Sequence, residues 1–282
     1  MLTVIIPSYN EEARIGSCLD AIIAQSGLPD GHAFQIVVAA NGCRDHTVKR
    51  AREKAATLRE RGFDLVVLDI AQGNKMNALN QAEEVATYEM RAFLDADVIL
   101  SKHVLVELVD ILSADTPRYA SGTVCIPRPK SMISRAFAKV WTDLPFFRDG
   151  VPGIGLYAVN AKGRARWGAF PEIYSDDRFV RLQFAPDERF KTKATYQWPL
   201  PEGFGNLVHV RHRWSEGNIE LAEQYPELLA NESQHNKTMS SVWGLFRTPL
   251  SSAVYVAIFI VSNFRANRSA HSETFVWRRG RD

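Results

Sequence analysis

The order of apolar and polar segments along the chain predicts an alternating α/β fold. The chain opens with an apolar strand over residues 2–6, which Pro7 is expected to end, and a helix with apolar residues at helical spacing follows over 14–26. The later segments continue the alternation, with strands predicted over 34–40, 65–70 and 91–98 and helices over 47–61 and 78–87. Strands that alternate with helices indicate a mostly parallel sheet with helices on both faces.

A polar cluster follows each of the predicted strands. The clusters lie at residues 7–12, 41–45, 72–77 and 95–97. The carboxyl ends of parallel strands share one rim of a sheet, and open α/β sheets bind their ligands there. We therefore expect the four loops to converge on one ligand site.

Two carboxylates, Asp95 and Asp97, stand at the end of the predicted strand over 91–98. Burial of ionised groups is costly, but a strand's carboxyl end tolerates them. Residues two apart on an extended chain point the same way, so the two carboxylates can converge on one cation. Hard oxygen ligands favour Mg²⁺ or Mn²⁺, and Mg²⁺ is usually held by one or two carboxylates plus substrate phosphates. We interpret the pair as a metal–diphosphate site, with a solvated strand end as the alternative.

Taken together, these motifs resemble the family-2 glycosyltransferases of the GT-A fold. The resemblance covers about residues 1–215 and rests on the segments 4–11, 39–47, 73–80, 95–97 and 176–177. It implies a GT-A type, Rossmann-like α/β/α sandwich with a mostly parallel central sheet and a C-terminal helical extension. It also implies a nucleotide-sugar donor, a glycan or lipid-linked acceptor with a free hydroxyl, and a divalent metal, Mg²⁺ or Mn²⁺.

The resemblance assigns the donor nucleotide to particular residues. Tyr9 would supply an aromatic face to the base, Asn41 an acceptor and an amide donor, and Lys75 a positive charge for a phosphate. Many relatives carry two acidic residues where this chain has Ala40 and Asn41. A UDP-sugar is favoured, while GDP- and dTDP-sugars stay open. The full donor set is Pro7, Ser8, Tyr9, Glu11, Asn41, Lys75, Asp95, Gly155, Arg213 and Trp214.

The resemblance also assigns metal ligands and a catalytic base. Asp97 would ligate the metal directly, Asp95 would lie near the metal or the ribose, and His209 is a further candidate ligand. Asp177, with Asp176 beside it, is the candidate base, because inverting transfer needs a carboxylate that accepts the proton of the acceptor hydroxyl. The alternative is that these two acids simply begin a helix, where negative charge is favoured.

Two further motifs concern the acceptor side. The segment 153–159 resembles the family's floor beneath the donor sugar, since glycines let a backbone approach a ligand closely. The run 211–214 is similar to the Gln-x-x-Arg-Trp element of processive members, but Val210 stands where the Gln would be. This departure favours the addition of a single sugar over polymerisation.

Composition limits the remaining function classes. A net charge of only +2 lacks the excess of basic residues that is typical of nucleic-acid-binding proteins. The three scattered cysteines are typical of a reducing cytosol, and the first apolar run is a strand without a basic region before it, so we expect no signal peptide and a cytoplasmic protein. We predict a glycosyltransferase domain over 1–240 and a separate tail over 241–282.

The tail has an unusual distribution of charge. Residues 248–264 carry no charge, and five arginines follow them. A spanning helix needs about 20 apolar residues, so we expect an interfacial helix that meets an anionic inner leaflet. The apolar segment 132–147, with Lys130, Arg135 and Lys139 beside or within it, borders the same surface in this interpretation. Packing of both helices on the core, or at a homodimer interface, is the alternative.

Two other functions fit parts of the pattern. A nucleotidyltransferase shares the sheet and a metal-binding Asp, but it would carry a glycine-rich loop after the first strand, and residues 7–12 contain no glycine. An inactive binding protein of the same fold would be expected to have lost Asp95, Asp97 or Asp177, and all three are present.

Overall fold

The computed structural model describes residues 1–28, 34–232 and 248–269, the last five of these by their backbone alone. The chain divides into two compact units. The first, which we call the sheet unit, comprises Met1–Cys125, Gly153–Glu172 and Gln183–Trp198. The second, the helical unit, comprises Ile126–Pro152, Ile173–Leu182 and Pro199–Asp282. The domain boundary predicted at residue 240 lies outside the described residues and stays a prediction.

The sheet unit is built on a mixed sheet that is parallel in its amino-terminal half. Its strands are β1 (Leu2–Ser8), β2 (Phe34–Asn41), β3 (Phe63–Ile70), β4 (Met90–Leu94), β5 (Ile99–Leu100), β6 (Tyr119–Cys125), β7 (Leu156–Val159) and β8 (Arg189–Gln197). They are ordered β3-β2-β1-β4-β7-β6-β8-β5. β1 pairs in parallel with β2 and β4, and β2 pairs in parallel with β3. The predicted α/β class with a mostly parallel sheet is confirmed.

The strand order creates a switch point beside β1. The chain adds β2 and β3 on one side of β1 and then returns to place β4 on the other side. The loops that leave β1 and β4 therefore run in opposite directions and leave a crevice between their starting points. Open α/β sheets bind their ligands in a crevice of this kind. β1 and β2 are buried along almost their whole length, as expected for central parallel strands covered by helices on both faces.

Helices cover the sheet and form the second unit. In the sheet unit they are α1 (Ile15–Ile23), α2 (Thr47–Arg52), α3 (Ala55–Glu60), α4 (Lys75–Glu84), α5 (Val104–Leu112) and α8 (Ala161–Arg164), with a 3₁₀ turn at Pro186–Glu188. In the helical unit they are α6 (Met132–Trp141), α7 (Pro145–Arg148), α9 (Asp176–Leu182), α10 (Gly203–Gln224) and α11 (Pro249–Ser269), with a 3₁₀ segment at Pro226–Asn231. Among the described helices, none is long and apolar enough to cross a membrane.

Several predicted boundaries were wrong for local reasons. β1 continues through Pro7, which pairs with Ala39, because a proline φ is compatible with an extended strand. The helix predicted over 47–61 divides into α2 and α3, since the Lys54 N–H bonds to the Ala51 carbonyl, three residues back. α4 begins three residues earlier than predicted because the side chain of Asn74 accepts the Asn77 N–H and caps the helix.

The segment that carries the two aspartates is also different from its prediction. β4 ends at Leu94, and the Val98 N–H donates to the Asp95 carbonyl at 3.1 Å, so the chain makes a turn over 95–98. The extended backbone predicted there was wrong. A turn still keeps Asp95 and Asp97 close in sequence and in space at the end of the strand.

Candidate donor and catalytic sites

The loop after β1 is tied to the loop after β2 by hydrogen bonds. Asn10 has a positive φ of 53°, and its side-chain oxygen accepts the Arg44 N–H at 2.8 Å. The N–H of Glu11 donates to Thr47 Oγ1 at 2.7 Å, and the N–H of Glu12 donates to Asp45 Oδ2 at 3.0 Å. These bonds fix the backbone on the carboxyl side of Tyr9, a predicted base-binding residue that stays partly exposed.

The loop after β3 joins the same edge through a contact between two glycines. The Gly42 N–H donates to the Ile70 carbonyl at 2.7 Å, and Gly42 has a φ of +65°. A Cβ on Gly42 would lie 2.7 Å from the Cα of Gly73, so only glycine fits there. A Cβ on Gly73 would in turn lie 3.7 Å from Cε2 of Tyr9. The loops after β1, β2 and β3 therefore meet, as predicted from their positions after the strands.

Asn41 is buried at this meeting point, with only 2% of its surface exposed. Its amide nitrogen donates to the Ser8 carbonyl at 3.0 Å and to the Ala39 carbonyl at 3.4 Å. The expectation that this amide offers a donor to a base was wrong, because the backbone uses it. The side-chain oxygen has no hydrogen-bond partner among the described residues. The Asn41 side chain therefore has only a hydrogen-bond acceptor left to offer, and that oxygen is itself buried.

Lys75 and Asp95 form an ion pair that connects the loops after β3 and β4. Nζ of Lys75 lies 3.4 Å from Oδ1 of Asp95, and both side chains are partly exposed. Lys75 is the first residue of α4, where the helix dipole disfavours a positive charge. The carboxylate of Asp95 offsets that cost and holds the ammonium group at the strand ends.

The acidic side chains around the β4 turn create a site of negative potential. Burial raises the pKa of the Cys18 thiol on α1, and the charges of Asp97, Asp95 and Glu11 raise that pKa further. Each of the three carboxylates therefore lies close enough to Cys18 to act on its thiol. Within the described part of the chain, no group of three or more His, Cys, Asp and Glu side chains is arranged to hold a metal. A cation held by Asp95 and Asp97 together with substrate phosphates stays a prediction.

Gly155 closes the site beside Asp95. Its carbonyl accepts the Asp95 N–H at 2.9 Å, and its φ is +73°. A Cβ there would lie 2.5 Å from the indole of Trp198 and 3.0 Å from Val98. Gly153 is equally restricted, since it has a φ of +71° and a Cβ would collide with the hydroxyl of Tyr119. The predicted glycine-lined segment is therefore a close backbone approach directly before β7.

The predicted base lies at the start of α9 in the helical unit. Asp176 is buried, with 5% of its surface exposed, and Asp177 is partly exposed. The Arg178 N–H donates to Oδ1 of Asp177 at 2.8 Å. Both acids begin the helix, as the alternative interpretation also predicted, and a helix start is compatible with a catalytic role. Of the two carboxylates, Asp177 is the more accessible to a substrate.

The start of α9 is held against α10. The Tyr174 N–H donates to Oε2 of Glu220 at 2.8 Å. A Cβ on Gly217 would collide with the side chain of Ser175, so glycine permits this approach. Burial raises the pKa of Glu220, although the bond from Tyr174 lowers it in part. The backbone before Asp176 is thereby fixed from one side.

The other end of α9 is held by one carboxylate. Glu232 accepts from Arg178 at 2.7 Å and from Arg181 at 2.8 Å, and Arg178 also donates to Asn218 at 2.6 Å. Burial raises the pKa of Glu232, but the guanidinium groups of Arg181 and Arg178 outweigh it and hold that pKa below its usual value. We call Arg178, Arg181 and Glu232 the α9 clamp.

Three further predicted residues lie on α10. His209 is exposed, and Arg213 is partly exposed. The indole of Trp214 stacks on that of Trp141, with ring centroids 5.4 Å apart and planes 16° from parallel. The roles predicted for these residues toward metal, diphosphate and sugar stay predictions.

Sequence patterns missed three residues that shape these sites. Trp198 covers Gly155 and Glu232 completes the α9 clamp, yet each lies more than 40 positions from its partner in the chain. Gly217 lies inside a long helix, where an isolated glycine usually weakens the helix. That unfavourable position was the available signal, since a glycine kept inside a helix often has a packing reason.

Comparison with known proteins agrees with the motifs. Residues 3–136 match the model of the family named "Glycosyl transferase family 2". A 4,4'-diaponeurosporenoate glycosyltransferase of Staphylococcus aureus is 37% identical over 109 residues, which cover 38% of this chain and 26% of that protein. The match thus spans about a quarter of the length of the curated relative.

Solved structures share the fold over much more of the chain. The mannosyltransferase PcManGT from Pyrobaculum calidifontis, in complex with GDP-Man and Mn²⁺, superimposes with a TM-score of 0.61 at 21% identity and covers 96% of this chain and 81% of its own. Glucosyl-3-phosphoglycerate synthase from Mycobacterium tuberculosis, with Mn²⁺, UDP and phosphoglyceric acid, gives 0.52 at 17% identity and covers 78% of each chain. S. aureus TarS 1-349 with UDP-GlcNAc gives 0.51 at 14% identity, over 99% of this chain and 95% of its own.

These likenesses extend the family match to the architecture. The structural neighbours are GT-A glycosyltransferases, and the strand order and the parallel amino-terminal half of the sheet are consistent with that fold. The match over residues 3–136 contains the loops after β1 to β4 that form the donor-side edge. Over residues 3–136, slightly less than half of its length, this chain is similar to glycosyl transferase family 2, and its fold is that of the GT-A structures compared above.

Proposed function

We propose that the protein transfers a single sugar from a nucleotide sugar to a hydroxyl acceptor, with inversion at the anomeric carbon and with a divalent metal. One observation carries the proposal. The loops after β1 to β4 meet at the switch point of the sheet, and they bring together an acceptor on Asn41, a cation on Lys75 and the carboxylates of Asp95 and Asp97. These groups match a base N–H, a phosphate and a metal-bound diphosphate respectively.

The sheet unit supplies the donor side in this proposal. Tyr9 would stack on the base, and the side-chain oxygen of Asn41 would accept its imide or amide N–H. Uracil, thymine and guanine all offer such a donor, and we favour a UDP-sugar. The relatives bind different nucleotides, since PcManGT was solved with GDP-Man and TarS with UDP-GlcNAc. Lys75 would turn from Asp95 toward the diphosphate when the donor binds.

A divalent metal fits the donor side of this scheme. Asp95 and Asp97 would hold Mg²⁺ or Mn²⁺, with His209 as a further candidate ligand, and the bound metal would stabilise negative charge on the leaving diphosphate. The negative potential that these carboxylates create at Cys18 supports a cation at this place. Two of the similar structures also contain Mn²⁺.

The helical unit supplies the acceptor side. Asp177 would accept the proton of the acceptor hydroxyl while that oxygen attacks the anomeric carbon. The bond from this carbon to the diphosphate breaks in the same step, and the nucleoside diphosphate leaves with the electron pair. Such a single displacement inverts the anomeric configuration. The Val210 departure from the processive motif favours one transfer for each acceptor.

We also propose that the tail brings the enzyme to the cytoplasmic face of a membrane, near a lipid-linked or membrane-proximal acceptor. From Trp243 to Asp282 the chain has six arginines against two acidic residues, which gives +4. Trp243, Arg278, Arg279 and Arg281 lie outside the described residues. In α11, Leu250 and Ile260 are 84% and 60% exposed, and burial of these side chains at a membrane interface would favour binding.

Flotation of the full-length protein with anionic vesicles tests the membrane contact. Flotation that high salt weakens would support the proposal, and a protein that stays in the aqueous fraction would contradict it.

A screen of nucleotide sugars with Mn²⁺ tests the enzymatic proposal. We expect at least one UDP-, GDP- or dTDP-sugar to release its nucleoside diphosphate, and transfer to an acceptor to give an inverted anomer by NMR coupling constants. Release of pyrophosphate instead would indicate a nucleotidyltransferase. A retained configuration would exclude the single displacement.

Variants of the paired acids test the assignment of the base. Asp177→Asn should abolish transfer while it leaves donor binding nearly unchanged, because it removes the proton acceptor and keeps the shape. Asp176→Asn is the matched control. If Asp177→Asn keeps wild-type turnover and Asp176→Asn loses it, the base is Asp176.

A further inference from the structure

α11 in the helical unit has apolar residues on its exposed side as well as on its packed side, where Ile258 is fully buried and Tyr255 stacks on Phe137. It packs on α6 and α10, where Ser262 is fully buried and Asn263 accepts a hydrogen bond from Ser215 at 3.0 Å. Its exposed apolar residues are Leu250, Val256, Phe259, Ile260 and Phe264. A helix on a water-exposed surface normally carries polar residues on its exposed side. The exposed side of α11, which we call its outer face, is therefore suited to an apolar neighbour.

A cation lies next to this outer face. The guanidinium of Arg211 on α10 lies 4.4 Å from the ring centroid of Phe259 and 5.6 Å from that of Tyr255. Arg211 is half-buried, and its Nε is buried without a hydrogen-bond partner in the described part of the chain. No carboxylate of the described residues forms an ion pair with it.

The charge of Arg211 persists in spite of this environment. Burial lowers the pKa of Arg211, and the neighbouring Tyr255 raises it only in part. A guanidinium nevertheless stays protonated in proteins, because its ordinary pKa is above about 12. A half-buried cation is costly when, as among the residues that the structure describes, no carboxylate pairs with it, and the aromatic rings compensate for only a part of that cost. An anion from outside the chain would remove the penalty.

The surrounding charges indicate what kind of partner carries that anion. Residues 248–269 contain Arg265 and Arg268 and no acidic residue. Pairing of the outer face with the same face of a second copy would bring two Arg211 guanidinium groups into one interface and would give neither of them an anion. On α6, which packs on α11, Met132 is 79% exposed and Lys139 is exposed. Apolar side chains bordered by cations complement a lipid with an anionic headgroup.

We propose that Arg211 and the outer face of α11 form a binding site for the phosphate headgroup of an anionic membrane lipid. The guanidinium fork would hold the phosphate, for which its planar geometry is suited, while Phe259 and Ile260 enter the acyl region. This inference rests on the proposed membrane contact and adds to it a headgroup preference at a named side chain.

Vesicle binding of the full-length protein tests the site. The vesicles contain either phosphatidylcholine alone or phosphatidylcholine with phosphatidic acid. Wild type should bind the vesicles with phosphatidic acid more tightly. The affinity of Arg211→Gln for these vesicles should be about fivefold lower than that of wild type, because this is the effect of one cation near an anionic surface. Arg211→Lys should recover part of the loss. Arg59→Gln removes the same charge from an exposed position on α3 and should change nothing.

Two further measurements distinguish a headgroup site at Arg211 from a structural role of Arg211 and from the membrane contact of the outer face. Removal of an uncompensated charge should leave the thermal midpoint of Arg211→Gln equal to or above that of wild type, with donor hydrolysis unchanged. Ile260→Asn should weaken binding to both kinds of vesicle, because it changes the outer face and not the cation.

The contrary outcomes are equally specific. Equal binding of wild type and Arg211→Gln to phosphatidic acid vesicles would overturn the headgroup site but not the membrane contact. No binding to any vesicle would overturn both, and a dimer in light scattering that Ile260→Asn abolishes would assign the face to a second copy. An Arg211→Gln protein that unfolds would show that Arg211 is structural. Inhibition of vesicle binding by free inorganic phosphate at comparable concentration would mean that the site takes soluble phosphate instead of a lipid.

Discussion

At the scale of single residues, the donor-side edge depends on glycines that admit no side chain. Gly155 combines a φ of +73° with a Cβ position 2.5 Å from the indole of Trp198, so a substitution there meets both backbone strain and collision. The same residue accepts the N–H of Asp95 through its carbonyl. Any shift of Gly155 is therefore transmitted directly to a proposed metal ligand.

Substitution of this glycine should damage stability and donor binding together. Gly155→Ala should lower the free energy of unfolding by about 1–3 kcal/mol, because left-handed backbone and overpacking each have costs of that order. Chemical denaturation with and without a bound nucleoside diphosphate measures both effects. Gly168→Ala is the control, since a Cβ there meets nothing within 4 Å. Equal stability of the two variants would contradict the close approach.

The residues that carry chemistry were predictable to different degrees. Asp95, Asp97 and Lys75 follow predicted strands, and the parallel sheet brings Lys75 and Asp95 to one edge as expected. The turn at 95–98 was not predictable from alternation of apolar residues, because a single N–H to carbonyl bond decides it. The use of the Asn41 amide by the Ser8 carbonyl depends on a contact 33 residues away along the chain, which no local pattern reports.

At the scale of elements, the clamp on α9 controls where Asp177 is held. α9 has only seven residues, too few to be stable by its own hydrogen bonds. Its position depends on Arg178 and Arg181, which share the carboxylate of Glu232. A helix that begins at Asp176 and Asp177 was an alternative interpretation of the sequence, but the clamp on α9 lies about 50 residues away and was not foreseen.

Removal of this carboxylate should reduce turnover through the position of the base. Glu232→Gln should lower kcat by about tenfold, since small misplacements of catalytic groups are costly, while KM for the donor changes little. Glu227→Gln is the matched control, because Glu227 is exposed and lies on the 3₁₀ segment that ends directly before Glu232. If both variants keep wild-type kcat, the clamp does not position Asp177.

The clamp should also give the stability of the protein an acid dependence. The pKa of Glu232 is below its usual 4.5 in the folded protein, so its ion pairs contribute fully above that value. Their contribution should decline as the pH falls below about 4.5 and through the lowered folded pKa. Thermal midpoints measured from neutral to acidic pH should therefore fall less steeply for Glu232→Gln than for wild type. Parallel curves would show that Glu232 is not ionised in these pairs.

At the scale of the whole molecule, donor binding and membrane contact are assigned to different units. The proposed donor ligands lie mainly in the sheet unit, and α11 belongs to the helical unit. In the sequence, net charge distinguished only the tail, because the residues from Trp243 carry +4 while the whole chain carries +2. The class of fold and the donor-side edge could be predicted from periodicity and loop position. The division into units could not, because the helical unit is assembled from three separate segments of the chain.

Single substitutions should therefore impair donor binding and membrane contact independently of each other. Asp97→Ala should lose binding of nucleoside diphosphate and keep flotation with anionic vesicles. Ile260→Asn should weaken flotation and keep nucleotide binding. Calorimetry and flotation on the same preparations measure both. A variant that loses both activities while it remains folded would show that the units are coupled.

Binding of nucleoside diphosphate with and without metal tests the central claim most directly. Asp95 and Asp97 repel phosphates unless a cation lies between them, so titration calorimetry with UDP and GDP should show binding in Mn²⁺ and little in EDTA. Asp97→Ala should abolish the metal-dependent binding more completely than Asp95→Ala, because loss of Asp95 also releases Lys75 for the phosphates. Equal affinity in Mn²⁺ and in EDTA, or wild-type affinity in Asp97→Ala, would contradict the account of a metal-dependent nucleotide-sugar transferase.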